Sequence, residues 1–262
     1  MKPKVLVLKA DGTNRDAEMA YAFKAAGGDP EVVHVNLLRS GQRKMKDYQV
    51  LALPGGFAYG DDIVSGKILA IELTAFLGNG MRQFIERKDT VILGVCNGFQ
   101  VLVRTGLLPF RKVGEMDVTL TNNDSGHFEC RWIKVKLNEK NNSPFFAGLD
   151  NQIIWLPVAH GEGKFLTDEK TLKKVEENNL VAFRYVNEKG QPTQKYPDNP
   201  NGALNAIVGI TDTTGRILGM MPHPECFVRI EQHPNWRRGS VEKPQGLPLF
   251  ENIVRFVKEA KW

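Results

Sequence analysis

Val91-Ile92-Leu93-Gly94-Val95-Cys96-Asn97-Gly98-Phe99-Gln100 decides the fold. Its first half is a continuous apolar run, the pattern of a strand buried on both faces. A cysteine and Asn97-Gly98 follow, and then an apolar helical stretch through Val103 that stops at Gly106. Strand, sharp turn and helix around a nucleophile make an elbow, here with cysteine where hydrolases carry serine. The turn crowds the backbone, so it needs small neighbours, and Gly94 and Gly98 supply them. Cys96 falls just before a helix N-terminus, where the helix dipole and free N–H groups favour a thiolate. A lone cysteine is more often a buried, inert one. The glycine-flanked strand–helix junction sets this one apart.

Upstream of the elbow the same alternation repeats. Val5-Leu6-Val7-Leu8 reads as a strand, followed by a turn at Asp11–Asn14, a helix from Asp16 to Ala26 and a stop at Gly27-Gly28. Val32–Val35 predicts a second strand and Tyr48–Leu53 a third, ended by Pro54-Gly55-Gly56. One helix is expected from about Gly66 to Arg87 before the strand Thr90–Val95. Strands alternating with helices predict an α/β fold with a parallel sheet covered on both faces. After Leu108 the texture turns antiparallel, with strands expected at His127–Leu137, Ile153–Val158, Leu180–Val186, Ala203–Ile210 and Ile217–Met221. The last two are joined by a hairpin signal at Asp212–Gly215. Residues Pro192–Pro200 and Cys226–Pro248 read as long loops, and Gly246–Lys261 as a closing amphipathic helix. One domain spanning residues 1–262 is expected.

A thiolate nucleophile needs a base and a group to orient that base. Met221-Pro222-His223-Pro224-Glu225 supplies both. Residues before proline are held extended, and extended positions two apart face the same side. Glu225 is thus placed to hold one ring nitrogen of His223 and leave the other for Cys96. His34, His127 and His233 lack such a context and read as structural or exposed. An acyl-transfer site also needs donors for the developing oxyanion. The Asn97 N–H is one candidate, and the glycine-rich end of the third strand, Pro54-Gly55-Gly56-Phe57, is the other. Both lie outside the carboxyl ends of strands, where parallel sheets bind ligands.

Bulk properties bound the alternatives. The 262 residues are 42% hydrophobic, 25% charged and 9% aromatic, which argues against a disordered or fibrous chain. The net charge of +5 is small for the length. Two short basic clusters, Arg43-Lys44-Lys46 and Arg237-Arg238, read as solvated surface, without the interleaved aromatics of a nucleic-acid site. No segment approaches the ~20 apolar residues of a membrane helix, and no signal-peptide core follows Met1. Three widely spaced cysteines, Cys96, Cys130 and Cys226, suit reduced thiols in a cytoplasm. No spacing suits a zinc site, and no Gly-x-x-x-x-Gly-Lys phosphate loop is present. A non-enzymatic sensor built on the cysteine elbow is the rival from another class, and it would not need His223 and Glu225.

Gly94–Gln100 together with His223-Pro224-Glu225 resembles the triad-type (class I) glutamine amidotransferases. Within that family the chain is similar to the glutaminase subunits of phosphoribosylformylglycinamidine synthase. Four further stretches carry the likeness: Pro54–Asp61, Asn123–Glu129, Ala159–Gly163 and Tyr196–Gly202. The last three speak against glutaminases of GMP, CTP or histidine synthesis. The resemblance implies a flavodoxin-like fold, with a central mostly parallel sheet, helices on both faces and added antiparallel strands. It implies a catalytic triad of Cys96, His223 and Glu225 and an oxyanion hole at Gly56 and Asn97. It also implies that Gly55, Gln100, His160 and Gly161 contact L-glutamine. It implies no metal or cofactor in this chain. ATP and magnesium are then expected on a synthetase partner, with a small accessory subunit beside it. Cys226 stands where many such proteins carry arginine.

Overall fold

The computed structural model describes residues 2–149, 153–239 and 241–260. Nine strands form one sheet in the order β2-β1-β3-β4-β11-β10-β9-β6-β7. Its parallel part is β2 (Asp29–His34), β1 (Lys4–Lys9), β3 (Val50–Leu53), β4 (Val91–Val95) and β11 (Ile217–Met220). β3, β4 and β11 are buried at every position. Both faces are therefore covered, which is why these strands read as unbroken apolar runs. One cover is α1 (Asp16–Ala25) with α7 (Leu247–Glu259), locked by an edge-to-face pair of Phe23 and Phe250 at 5.0 Å. The other is α5 (Asn97–Arg104) against α3 (Lys67–Ile71).

Beyond β11 the sheet turns antiparallel through β10 (Ile207–Thr211), β9 (Val181–Tyr185), β6 (Glu129–Leu137) and β7 (Ile153–His160). β7 alternates buried and accessible residues, as a strand with one covered face does. A separate antiparallel pair, β5 (Thr119–Asn122) with β8 (Glu162–Leu166), folds beside this part.

Several expectations need correction. The second strand begins three residues early, at Asp29, and ends at His34, whose Nδ1 accepts the Asn36 N–H and starts α2 (Val35–Arg39). The helix expected over 66–87 is three pieces: α3, a π turn at Glu72–Phe76 and α4 (Gly78–Glu86). Gly78 and Gly80 are poor at propagating a helix across that point. The strand expected from Ala203 begins only at Ile207, because Asn205 sits at φ 51° within a 3-10 turn. The strand expected from His127 begins at Glu129. Two strands, β5 and β8, and one helix, α6 (Glu169–Glu177), were not foreseen. The 226–248 loop contains short 3-10 turns at Ile230–Gln232 and Trp236–Arg238. Lys261, where the closing helix was expected to end, lies outside the described residues, as do Met1 and Trp262.

Candidate active site

β3, β4 and β11 are neighbours in the sheet and run the same way, so their carboxyl ends open side by side. The glycine loop leaves β3, Cys96 leaves β4 and the His-Pro-Glu segment follows β11. Cys96 has φ 52° and ψ −106°, a strained conformation of the kind that active-site turns hold. Its surroundings enforce it. A Cβ on Gly98 would lie 2.0 Å from Leu53 O, and one on Gly94 would lie 2.6 Å from Gly98 O. Only glycine lets helix α5 approach β3 and β4 this closely.

His223 and Glu225 are both buried, and His223 Nδ1 is 2.6 Å from Glu225 Oε1. Burial opposes a charge on the imidazole, but the Glu225 carboxylate and a Cys96 thiolate outweigh it and raise its pKa to about 10. His223 Nε2 has no partner of good hydrogen-bond geometry, although Cys96 is near enough to act on the ring's charge. The thiol instead donates to Ala159 O at 3.6 Å. The resting sulfur thus leans on the end of β7, with the histidine's second nitrogen open. Gly55 touches the same ring, since a Cβ there would be 2.7 Å from His223 Cε1. Gly56 turns the other way, against the Gly12–Asn14 turn, at φ 141°. Asn97 ties the loop to the elbow: its Oδ1 accepts the Ala58 N–H, and its Nδ2 donates to Asp61 Oδ1 and Gln100 Oε1.

The antiparallel half supplies the facing wall. His223 N–H donates to Pro157 O in β7, which clamps the histidine segment to that strand. Asn123 is the hub of the wall. Its Nδ2 donates to His127 O and His160 O, and its Oδ1 accepts the Gly163 N–H. Because that amide oxygen is an acceptor, the 3.1 Å contact with His160 fixes Nδ1 as the protonated nitrogen. Burial, and then the charge of His223, push the His160 pKa down to about 3, so its ring is neutral. Asn201 donates to Gly163 O and to the Tyr185 hydroxyl. A Cβ on Gly202 would overlap the Asp124 carboxylate.

Cys96, His223, Glu225, Gly55, Gly56 and Asn97 are thus brought together at one set of strand ends. Gln100 is buried one helical turn on, with its Nε2 donating to Glu162 O at 2.6 Å, so it joins α5 to the wall. Gly161 lies in the wall beside Phe128 and accepts the Asn123 N–H. His233, read as structural or exposed, is buried against Trp132, Trp155 and Phe227. Sequence reasoning gave no role to Asn123, Asn201 or Asp61. The signal was there: all three fall in the stretches that carry the family likeness. Ligand atoms of His223, Glu225 and Cys226 lie within 4.8 Å of one another, though one carboxylate oxygen already holds the imidazole. No helix among the described residues is long and apolar enough to cross a membrane.

Residues 2–257 match the family of the CobB/CobQ-like glutamine amidotransferase domain. The phosphoribosylformylglycinamidine synthase subunit PurQ of Dehalococcoides mccartyi is 43% identical over 259 residues, covering 98% of this chain and 99% of that protein. Its namesake from Methanococcus maripaludis is 45% identical over 265 residues, covering 98% and 96%. A chain in the structure of PurLQS from Thermotoga maritima matches with a TM-score of 0.74 at 27% identity, over 98% of this chain and all 100% of that one. The glutaminase domain of Trypanosoma brucei CTPS with bound acivicin shares the fold, with a TM-score of 0.58 at 12% identity, over 100% and 96% of the two chains.

Proposed function

The chain belongs to the CobB/CobQ-like glutamine amidotransferase family, and we propose on that premise that Cys96, His223 and Glu225 hydrolyse L-glutamine within phosphoribosylformylglycinamidine synthase. The chain is the glutaminase subunit of that synthase, and its partner is the synthetase subunit. Near full-length identity to the curated PurQ subunits supports this assignment.

One observation carries the catalytic reading: Glu225 holds Nδ1 of a buried His223 and leaves Nε2 open on the Cys96 side. His223 Nε2 takes the thiol proton once the sulfur turns from Ala159 O, and the Glu225 carboxylate and the new thiolate favour the imidazolium so formed, in keeping with its raised pKa. The thiolate attacks the carboxamide carbon, and the N–H groups of Gly56 and Asn97 hold the oxyanion. The imidazolium returns its proton to the departing ammonia, leaving a glutamyl thioester. Water, deprotonated by His223, cleaves the thioester to glutamate. Glu225 stabilises the imidazolium at each stage. Gly55, Gln100, His160 and Gly161 shape the glutamine pocket.

Ammonia passes to the synthetase subunit, which converts formylglycinamide ribonucleotide to formylglycinamidine ribonucleotide. ATP and magnesium belong to that partner, and a small accessory subunit completes the complex. The assignment to the cytoplasm draws on three free cysteines.

The test separates ammonia supply from ammonia use. Cys96→Ala in the reconstituted complex is expected to lose glutamine-dependent synthesis by about 10⁴-fold or more. The same complex should still make product from a high concentration of free ammonia. Loss of both activities in a complex that assembles would overturn the division of labour.

A further inference from the structure

A cleft of about 450 Å³ lies away from the catalytic residues, between the 41–46 segment and the helical stretch 74–87. None of the site residues named above lines it. Its lower end is tied to the amino ends of β3 and β4, where an Arg87 guanidinium nitrogen donates to Lys46 O and Tyr48 O. Cys96 and the Gly55-Gly56 turn sit at the opposite, carboxyl ends of the same strands. A ligand here would not compete with glutamine.

The charge of the cleft is one-sided. Five cations, Arg43, Lys44, Lys46, Arg82 and Arg87, line it, and no carboxylate does. Arg43 is already paired with Glu31 at 2.7 Å, and Arg87 with Asp89 at 2.6 Å. Lys44, Lys46 and Arg82 have no ion-pair partner among the described residues. Three uncompensated cations around one concavity focus a positive potential there. The first turn of α4, Gly78, Asn79 and Gly80, also lines the cleft, and no side chain caps that helix. It adds N–H groups and the positive end of a dipole to the same space. The remaining wall is apolar where Leu77 and the exposed ring of Phe76 reach the surface, over a floor of Leu38, Met45 and Phe84 that is almost wholly buried. The π turn at Glu72–Phe76 is what offsets α4 from α3 beside this wall.

We propose that this cleft binds a nucleoside phosphate, with Lys44, Lys46 and Arg82 on the phosphates and the Phe76 and Leu77 surface under the base. The volume fits a ligand of that size. Concentrated positive charge beside an apolar wall suits a molecule with a polyanionic end and a flat heterocyclic end. Free phosphate satisfies only the first, and a bare nucleoside only the second. The Arg43-Lys44-Lys46 cluster, read from sequence as solvated surface, thereby gains a role. That role is separate from the ATP used on the synthetase subunit.

The test uses the isolated full chain, free of the ATP-binding partner, with ADP, pyrophosphate and adenosine as probes in calorimetric titrations. Saturable binding of one ADP per chain is expected, tighter than pyrophosphate and far tighter than adenosine. Raising the salt concentration should weaken it. Blocking Cys96 with an electrophilic glutamine analogue should leave it unchanged. Lys46→Ala and Arg82→Ala should each weaken ADP binding by roughly tenfold, the loss of one charge-assisted contact. Gly80→Leu is a second variant that fills the cleft without altering charge, since a Cβ there points at Met45 Sδ from 3.6 Å. It should abolish binding while glutaminase activity in the complex persists. Absence of saturable ADP binding, equal affinity for ADP and pyrophosphate, or unchanged affinity in all three variants would overturn the proposal. So would loss of synthetase docking by these variants in a chain that never binds ADP, which would make the cleft a partner surface.

Discussion

The two halves of the sheet contribute to the site in different ways. The parallel half supplies the proposed reactive groups through its backbone: each is placed by a turn at the end of a strand buried on both faces. The antiparallel elements beside it supply side-chain amides, Asn123 after β5 and Asn201 between β9 and β10, that fasten loops into a wall. Backbone placement in a packed sheet tolerates almost no change, because the turns have no spare volume. A wall of hydrogen bonds fails in increments, one unsatisfied group at a time. Substitutions in the first region should therefore break the enzyme outright, and those in the second should loosen substrate binding first.

The largest effect is expected from Gly98→Ala. The added methyl meets Leu53 O at 2.0 Å, a backbone atom that cannot rotate aside. Destabilisation of about 3 kcal/mol or more is expected, with glutaminase activity lost as the elbow and the Gly55-Gly56 turn move apart. Chemical denaturation beside a kcat measurement checks it. A fully active, equally stable variant would mean that the close packing of α5 on β3 is not what holds the site.

Next comes the His223–Glu225 pair. His223→Ala should cost more in kcat than Glu225→Ala, since in the proposed scheme one moves protons at two steps and the other orients it. The pair also gives a pH signature. His223 has a folded pKa raised to about 10, above an ordinary value of 6.5. Its stabilisation is complete below the unfolded pKa and is lost as pH rises through about 10. Glu225→Gln removes the main cause of the elevation, so the fall in thermal stability between pH 6.5 and 10 should flatten. An unchanged slope in differential scanning calorimetry would detach the pKa shift from the carboxylate.

What was legible in the sequence follows the same division. β3, β4 and β11 were visible because burial on both faces leaves only apolar residues, and the elbow because its glycines are sterically required. His223 and Glu225 were visible because His-Pro-Glu follows a strand, although the pair meets through a 3-10 turn at Pro224–Cys226 and not through the extended backbone expected. The wall was harder to read. β8 is five residues with a glycine inside, too short to show a period. α6 sets only Leu172 and Val175 against the core among mostly charged residues, so its apolar stripe is two residues long. Asn123 stood out only as the first residue of a stretch that carries the family likeness. Its role depends on partners at 160 and 163, and nothing local marks such contacts.

A moderate effect is expected from Asn123→Ala. It would leave the Gly163 N–H, the His160 Nδ1–H and two carbonyls short of partners, at a cost of about 2–4 kcal/mol. His160 and Gly161 would lose their anchor, so KM for glutamine should rise more than kcat falls. Steady-state kinetics over a range of glutamine concentrations distinguishes the two. A pure kcat loss would place Asn123 with the reacting groups rather than in the wall.

The smallest effect is expected from Cys226→Ala, although Cys226 adjoins Glu225 in the chain. Burial, reinforced by the Glu225 carboxylate, pushes the Cys226 thiol up to about 12, and Arg15 offsets this only in part. The thiol is therefore neutral at physiological pH and is a poor nucleophile. Position in the fold agrees: Cys226 closes a 3-10 turn at Pro224–Cys226, without the helix terminus and strained φ that present Cys96. Removing its sulfur should cost less than about 1 kcal/mol and leave kcat and KM near their starting values. The same reasoning predicts that an electrophilic glutamine analogue labels Cys96 and spares both Cys226 and the exposed Cys130. Peptide mapping of the labelled chain, with and without the substitution, reads both expectations in one experiment. Label on Cys226, or a collapse of kcat in a folded Cys226→Ala chain, would put this second thiol in the chemistry. The close grouping of His223, Glu225 and Cys226 would then have to be read as a working unit.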